Sequence, residues 1–448
     1  MTTADTATRD FMEGLRARNP HEPEFHQAAE EIARSVMPWY LGQSEMRRAG
    51  LLERLTEPDR IVSFRVAWED DAGAVQMNRA WRVQFSHALG PYKGGLRFTP
   101  QLGPSVLKFL GLEQVLKNAL TGLPMGGAKG GADFDPHGAS RAEIGRFCRA
   151  MMAELHRHIG PDMDVPAGDI GVGPEEISLM FGEYLKLTNS WSGALTGKGC
   201  SFGGSAVRVE ATGYGCVYFC EMMLEEHGHE FEGKRVAVSG SGHVALHAAE
   251  KAIDHGARVV SLSDSGGLLL CETGLSRQAL ERIKQVKLER RGRLADCADL
   301  DGVDYREGET PWRMEPEIAL PCATQNELDA DDAEALIAGG LLAVCEGANM
   351  PLTPEAADRL REAGVLHGPG KAANAGGVAV SGLEQTQNAQ KLSWSRAEVD
   401  RRLRDIMERI HRDCIDSRQG DGPVRYPDCA NLAGFRKAAT AMHSFGVY

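Results

Sequence analysis

The chain has 448 residues, 42% hydrophobic and 25% charged, with 63 acidic against 50 basic side chains and a formal net charge of -13. That length exceeds what one core usually fills, so two domains are expected, and the acidic balance argues against a general binder of nucleic acid or anionic membranes. No apolar run reaches bilayer length and the N-terminus lacks a basic-then-apolar leader; ten cysteines without a C-x-x-C pair read as reduced thiols of a cytoplasmic protein, with no metal site.

In chain order, residues 10–55 read as charged helix. "RIVSFRVAW" (60–68), the turn-like "EDDAG" and then "AVQMNRAWRVQF" predict a β-hairpin. Pro104 opens "PSVLKFLGLEQVLKNAL", a helix by its apolar spacing. The glycine-rich "GLPMGGAKGG" (122–131) then reads as a loop. Ser140 with Glu143 three residues on is a capping-box signal for the next helix, and "PAGDIGVGPEEI" reads as a loop entering another. Character changes near residue 205. "RVAVSGSGHVALHAAEKAIDHGARVVSLSDSGG" predicts strand, tight turn, helix and strand. Strand candidates at 317–323, at 341–349 and around "VLHGPG" alternate with helices, as a parallel sheet requires, and from Ser381 onward the pattern is helical. The expected fold is α/β, with an N-terminal substrate domain (1–204), a Rossmann-type dinucleotide domain (205–380) and C-terminal helices (381–448) returning to the first.

Gly240-Ser241-Gly242-His243-Val244-Ala245 fits G-x-G-x-x-(G/A) directly after the apolar run Val236–Val238 and at the start of a helix. A bare turn there lets a pyrophosphate meet backbone N–H groups at a helix N-terminus. Asp264 ends the second strand, where an acid would meet a ribose hydroxyl.

Lys129 lies among five glycines, yet Ala128 precedes it, Gly130 follows it and a helix runs into the segment, so the phosphate-loop pattern fails. Lys93 precedes Gly94-Gly95, while Gln114 and Lys117 are three apart on one helix and share a face. Should Lys93, Lys117 and Lys129 converge, their pocket suits a small dicarboxylate, one lysine per carboxylate. The spare lysine, crowded by cations and buried, would shed its proton and act as a base, with Asp169 moving protons.

"GPYKGGLRF", "LEQVLKNALTGLPMGGAKGG", "VPAGDIGVGPEEI", "FGGSAVRVEATGYG", "CEGANMP" and "KAANAGGVAVSGLEQTQN" together resemble the hexameric bacterial-type glutamate dehydrogenases, in order over nearly the whole chain. The resemblance implies reversible oxidative deamination of L-glutamate to 2-oxoglutarate and ammonium, two domains closing on a cleft, and a homohexamer. It implies Lys129 as the catalytic lysine and Asp169 as the proton carrier. Gln114, Lys117 and the Gly168 backbone would hold the α-carboxylate, and Lys93 and Ser381 the side-chain carboxylate. Thr212, Gly240, Ser241, Gly242, His243, Asn349 and Asn374 would touch the cofactor. Where the family usually has asparagine, this chain has His243, a bulkier neighbour for the cofactor. The generic rule reads Asp264 as favouring NAD, but "SDS" (263–265) resembles the NADP-preferring branch, in which Ser241, Ser263, Ser265 and Lys287 would offset that acid. NADP is therefore the expected cofactor. A sibling enzyme for leucine, valine or phenylalanine would need an apolar lining at Lys93 and Ser381. His243 leaves a second alternative, a catalytically weak metabolite-binding homologue.

Overall fold

The computed structural model describes residues 3–447. Helices α1 (Thr3–Arg18), α2 (Pro23–Tyr40), α3 (Ser44–Arg48) and α4 (Leu51–Leu55) precede the first sheet. Its strands are β1 (Arg60–Glu69), β2 (Val75–Ser86), β3 (Tyr92–Phe98), β4 (Gly127–Ala132) and β5 (Asp164–Gly168), interleaved with α5 (Pro104–Thr121), α6 (Arg141–Leu155) and α7 (Pro174–Thr188). The order is β1-β2-β4-β3-β5: the hairpin β1–β2 is antiparallel, β2 pairs antiparallel with β4, and β4, β3 and β5 run parallel. Alternation along β2 sends Val83 and Phe85 into an apolar core with α2 and α5, and Ala80 into one with α6 and α7. Ser140 accepts from the Glu143 N–H and the Glu143 carboxylate returns to Ser140 N–H, starting α6 as its sequence foretells.

The second sheet follows α8 (Ala211–Glu226). It contains β6 (Arg235–Val238), β7 (Arg258–Asp264), β8 (Gly267–Leu270), β9 (Asp304–Glu307), β10 (Ile318–Leu320), β11 (Ala343–Cys345) and β12 (Leu366–Gly368). Helices α9 (His243–Asp254), α10 (Arg277–Lys284), α11 (Ala330–Ala338) and α12 (Pro354–Glu362) lie between these strands. In the order β12-β11-β10-β6-β7-β8-β9, the first five strands are parallel and β8 and β9 are antiparallel additions that periodicity did not reveal. The chain ends in α13 (Gly370–Ala373), α14 (Gly376–Gln390), α15 (Arg396–Asp416) and α16 (Tyr426–Phe445). Residue 381 falls inside α14; α15 packs on α8, while α16 packs on α2 and α5. Among the described residues no helix is long and apolar enough to cross a membrane.

One expectation is corrected. The glycine-rich run that ends at residue 131 is not a loop throughout: residues 127–132 form β4, a fully buried strand between β2 and β3. Its glycines serve packing. A Cβ on Gly127 would lie 2.4 Å from Val115 Cγ2 of α5, and a Cβ on Gly94 would lie 1.7 Å from the Ala128 carbonyl oxygen. Only bare backbone lets β3, β4 and α5 approach this closely.

Beneath these strands Arg82 of β2 reaches Asp164 of β5 in a fully buried pair. Its Nη2 and Nε donate to the carboxylate at 2.5 and 2.9 Å, and its Nη1 donates to Gly94 O at 3.1 Å. Removing one partner leaves a buried charge alone, so Asp164→Ala is expected to destabilise the fold by about 3–5 kcal/mol. Chemical denaturation checks this, and a loss below about 1 kcal/mol, the range of an exposed pair, contradicts it.

Candidate active site

β4 places Lys129 opposite Val83, on the face covered by α5. Its ammonium lies 3.2 Å from Asp169 Oδ2, to which Arg97 Nε of β3 donates at 2.7 Å. Burial pulls the Lys129 pKa down; Asp169 opposes this and the Arg97 and Arg82 charges add to it. Burial pushes the Asp169 carboxyl up, but Lys129 and Arg97 together hold it below the ordinary carboxylate value. Gly168, the last residue of β5, sets Asp169 beside Gly95, where a Cβ would stand 2.8 Å from Asp169 Cβ.

Lys117 enters from α5. Its ammonium donates to Asn374 Oδ1, and burial followed by the Lys129 charge lowers its pKa to about 8, with Glu113 and Asp169 opposing. Gln114, one turn earlier, lies beside Gly94 and donates to Asn118 Oδ1 at 2.6 Å. Lys117 and Lys129 therefore share an electrostatic environment. The leading charges on Lys93 are Arg208, Arg82, Glu384 and Asp164, and burial above all depresses its pKa. Arginines thus supply the cations that weigh most on Lys93 and Lys129, while Lys129 is the cation that weighs on Lys117.

At the Lys93 end, Nζ donates to Thr196 Oγ1 at 2.7 Å, and that hydroxyl lies 2.5 Å from Ser381 Oγ on α14. Arg208 stands nearby with its buried Nε unpartnered. It follows Val207, whose φ of 62° is one that β-branched residues avoid; such strain costs about 1–3 kcal/mol and clusters at functional sites. Glu384 pairs with buried Lys198 at 2.7 Å.

In the second sheet, Gly240 takes φ 85° against the loop after β10, at the point where strand order reverses between β6 and its two neighbours. Gly242 precedes α9, no side chain caps that helix, and a Cβ on Gly242 would meet nothing within 4 Å. Open space in front of free N–H groups fits a dinucleotide pyrophosphate. Ser241 is buried within the turn. His243, the first residue of α9, exposes a ring that stacks 6.1 Å from His247; burial, then His247, lowers its pKa while Glu210 opposes. Thr212 sits in the first turn of α8, which reaches α9 through Gly213. Asn374 Nδ2 donates to Asn349 Oδ1 at 3.1 Å and to the Gly347 and Ala348 carbonyls, so Asn374 joins Lys117 to the loop at residues 347–349.

Asp264 is already engaged. It accepts from Leu294 N at 2.9 Å, Gly266 N at 3.0 Å and Lys287 Nζ at 3.1 Å. Burial raises its pKa, but these donors hold it low. Ser263 accepts from Gly240 N, while Ser265 accepts from exposed Arg293 Nη1 at 3.2 Å. The end of β7 therefore presents a neutralised acid beside Lys287 and Arg293, which suits an added phosphate better than a bare ribose.

Residues 203–446 match the glutamate/leucine/phenylalanine/valine dehydrogenase family, and residues 58–186 match its dimerisation domain. The chain belongs to this dehydrogenase family. It is 56% identical to the NADP-specific glutamate dehydrogenase of Salmonella typhimurium over 437 residues, 98% of each chain. The glutamate dehydrogenase of Plasmodium falciparum superposes with a TM-score of 0.96 at 43% identity, covering 99% of this chain and 96% of that one. The hetero-hexameric glutamate dehydrogenase of Thermus thermophilus, in a leucine-bound form, gives 0.80 at 29% identity, covering 92% and 97%.

Four groups in this dehydrogenase escaped the sequence reading: Arg97, Thr196, Arg208 and Arg293. Arg97 and Arg208 stood inside quoted motifs and Arg293 inside a basic run, "KQVKLERRGR", but nothing local marks Thr196. The Lys129–Asp169 pair makes a titration testable. Since the carboxylate supports the charged amine, Asp169→Asn should move the pH midpoint for labelling Lys129 with an amine-selective reagent downward, read by peptide mass spectrometry. An unmoved or raised midpoint contradicts the assignment.

Proposed function

We propose that this protein catalyses the reversible oxidative deamination of L-glutamate to 2-oxoglutarate and ammonium with NADP. The observation that carries the choice of substrate is the distal end of the cleft: a buried Lys93 bonded through Thr196 to Ser381, beside an Arg208 with a free buried N–H. Buried donors of this kind penalise an apolar side chain and reward a carboxylate. A leucine- or valine-directed sibling would leave them unanswered.

In this reading Lys93, Ser381 and Arg208 hold the side-chain carboxylate, and Lys117 with Gln114 and the Gly168 backbone holds the α-carboxylate. NADP, bound along residues 240–243 with Thr212, Asn349 and Asn374 alongside, supplies the hydride acceptor. Neutral Lys129 takes a proton from the water that attacks the iminium carbon, and Asp169 delivers a proton to the departing nitrogen. Arg97 keeps Asp169 directed at Lys129. Lys287, Ser265 and Arg293 meet the 2′-phosphate, and Asp264 orders their loop instead of repelling it. The first 204 residues then form the substrate side, 205–380 the dinucleotide side and 381–448 the helices spanning both. A cytoplasmic homohexamer completes the reading; the six-subunit part has support in the name of the Thermus relative, whose own assembly is hetero-hexameric.

Initial rates with 2-oxoglutarate, ammonium and NADPH should exceed those with branched 2-oxo acids or NADH; the reverse order in either comparison rejects that part of the reading, and binding without turnover would favour the weak homologue. Lys93→Leu should lower kcat/KM for glutamate at least about a hundredfold, the scale of a lost charge-assisted pair, while sparing norvaline. Equal losses count against the distal role. Arg293→Ala should raise KM for NADPH about tenfold and leave NADH unaffected, and a parallel change in both would remove Arg293 from the phosphate site.

A further inference from the structure

Lys371 lies outside the machinery described above, on the short helix α13 that leads into Asn374. Its ammonium is 2.9 Å from Glu113 Oε1 of α5, 2.9 Å from Glu31 Oε1 of α2 and donates to Asn431 Oδ1 of α16 at 2.6 Å. One cation thus ties α13 to three helices. Glu113 is one turn before Lys117 on the same face of α5, in the favourable acid-before-base order. The start of α13 is held as well, one residue before Lys371: Gly370 N donates to Glu346 Oε2 at 2.7 Å, and His367 Nε2 sits 2.9 Å from Glu346 Oε1. The residue that follows the helix, Asn374, accepts from Lys117 and donates to the loop carrying Asn349.

We propose that Lys371 is a positioning residue that clamps α13 onto α5, so that Asn374 and Glu113 together hold the Lys117 ammonium between the substrate and cofactor sides of the cleft. The inference rests on the reading of Lys117 as an α-carboxylate ligand. Lys371 touches neither substrate nor cofactor; it acts through the two groups that flank Lys117. It also neutralises Glu113, whose carboxylate in turn supports the charge on Lys117. A carboxylate arriving at Lys117 shares with Asn374 an ammonium that has three N–H donors, and Asn374 is the group that orders residues 347–349. The two binding events are therefore coupled through a single amide, and by linkage the coupling runs both ways.

The test uses the full-length protein, with steady-state kinetics in 2-oxoglutarate across pH and fluorescence titration by NADPH alone. Lys371→Gln should raise the 2-oxoglutarate KM about tenfold with a smaller change in kcat, and should weaken NADPH binding in the same direction. Lys371→Arg should recover part of both. Glu113→Gln leaves Lys371 paired with Glu31 and isolates the electrostatic half. Without that carboxylate Lys117 loses its proton more readily, so the alkaline rise in 2-oxoglutarate KM should begin at lower pH. Should Lys371→Gln fail to fold, the Glu113→Gln profile decides alone: a downward shift supports the proposal and an unmoved limb overturns it. A lowered melting temperature with KM, NADPH affinity and pH limb intact also overturns it, because the clamp is then merely structural. Lys117→Met separates the two levels. If it raises KM while the Lys371 and Glu113 variants do not, the clamp is wrong and the carboxylate role stands; if it leaves KM unchanged, the underlying reading falls.

Discussion

The Arg82–Asp164 pair is the contact on which the geometry of the substrate side depends. Strands β2 and β5 are not adjacent; β4 and β3 lie between them, and the guanidinium crosses under both to reach the carboxylate while donating to Gly94 O on the way. Gln84 adds a third donor to the same carboxylate at 2.9 Å. A buried pair of this kind is a poor source of net stability but a strong determinant of arrangement, since any shift of one strand leaves an uncompensated charge. Here what it fixes is the offset between β3, which carries Lys93 and Arg97, and β5, which ends at Gly168 and leads straight into Asp169. The lysine–aspartate distance in the site follows from a salt bridge on the far face of the sheet.

Glycine does the complementary work. With the strands registered, α5 still has to come near enough for Lys117 to share a field with Lys129, and Gly127 and Gly94 permit that approach by presenting no side chain to Val115 or to the Ala128 carbonyl. The result is a lysine in a setting that disfavours its charge. Desolvation is the largest influence on Lys93, Lys117 and Lys129 alike, and neighbouring charges then differentiate them: Asp169 opposes it at Lys129, Glu113 at Lys117 and Glu384 at Lys93. Each lysine thus has a different leading carboxylate, and these three come from different parts of the chain.

Local signals were legible in the sequence, and long-range ones were not. The capping box at Ser140, the hairpin at 60–86 and the turn at 240–243 depend on residues a few positions apart, so their chemistry can be read directly. β4 was missed because glycine has little intrinsic preference for strands; the segment is extended because β2 and β3 supply partners on both sides, which only the tertiary fold reveals. Thr196 and Arg208 were missed for the same reason, since each acquires meaning only when α14 brings Ser381 to Lys93. Asp264 shows a subtler limit. Its place at the end of β7 is readable, but its saturation by Leu294, Gly266 and Lys287 depends on a loop thirty residues further on. The generic rule treats such an acid as a free acceptor, and here it is not free.

The cleft also explains how a protein with net charge -13 can hold an anionic substrate and a polyanionic cofactor. Lys117, Lys129 and Arg97 face two carboxylates, Asp169 and Glu113, at the near end; Lys93, Arg208 and Lys198 face Glu384 at the far end. Lys287 likewise pairs with Asp264 at the end of β7, and Arg293 donates to the adjacent Ser265. In each cluster the cations outnumber the acids, while the chain's excess of acids lies elsewhere. Low-dielectric walls make such local excesses act at short range, where a bound anion gains from them without competing against the overall charge. The embedded acids keep the clusters tolerable when empty, because each gives the cations a fixed partner that an arriving anion supplements. Affinity for anions and stability of the unliganded site are therefore set by the same embedded carboxylates.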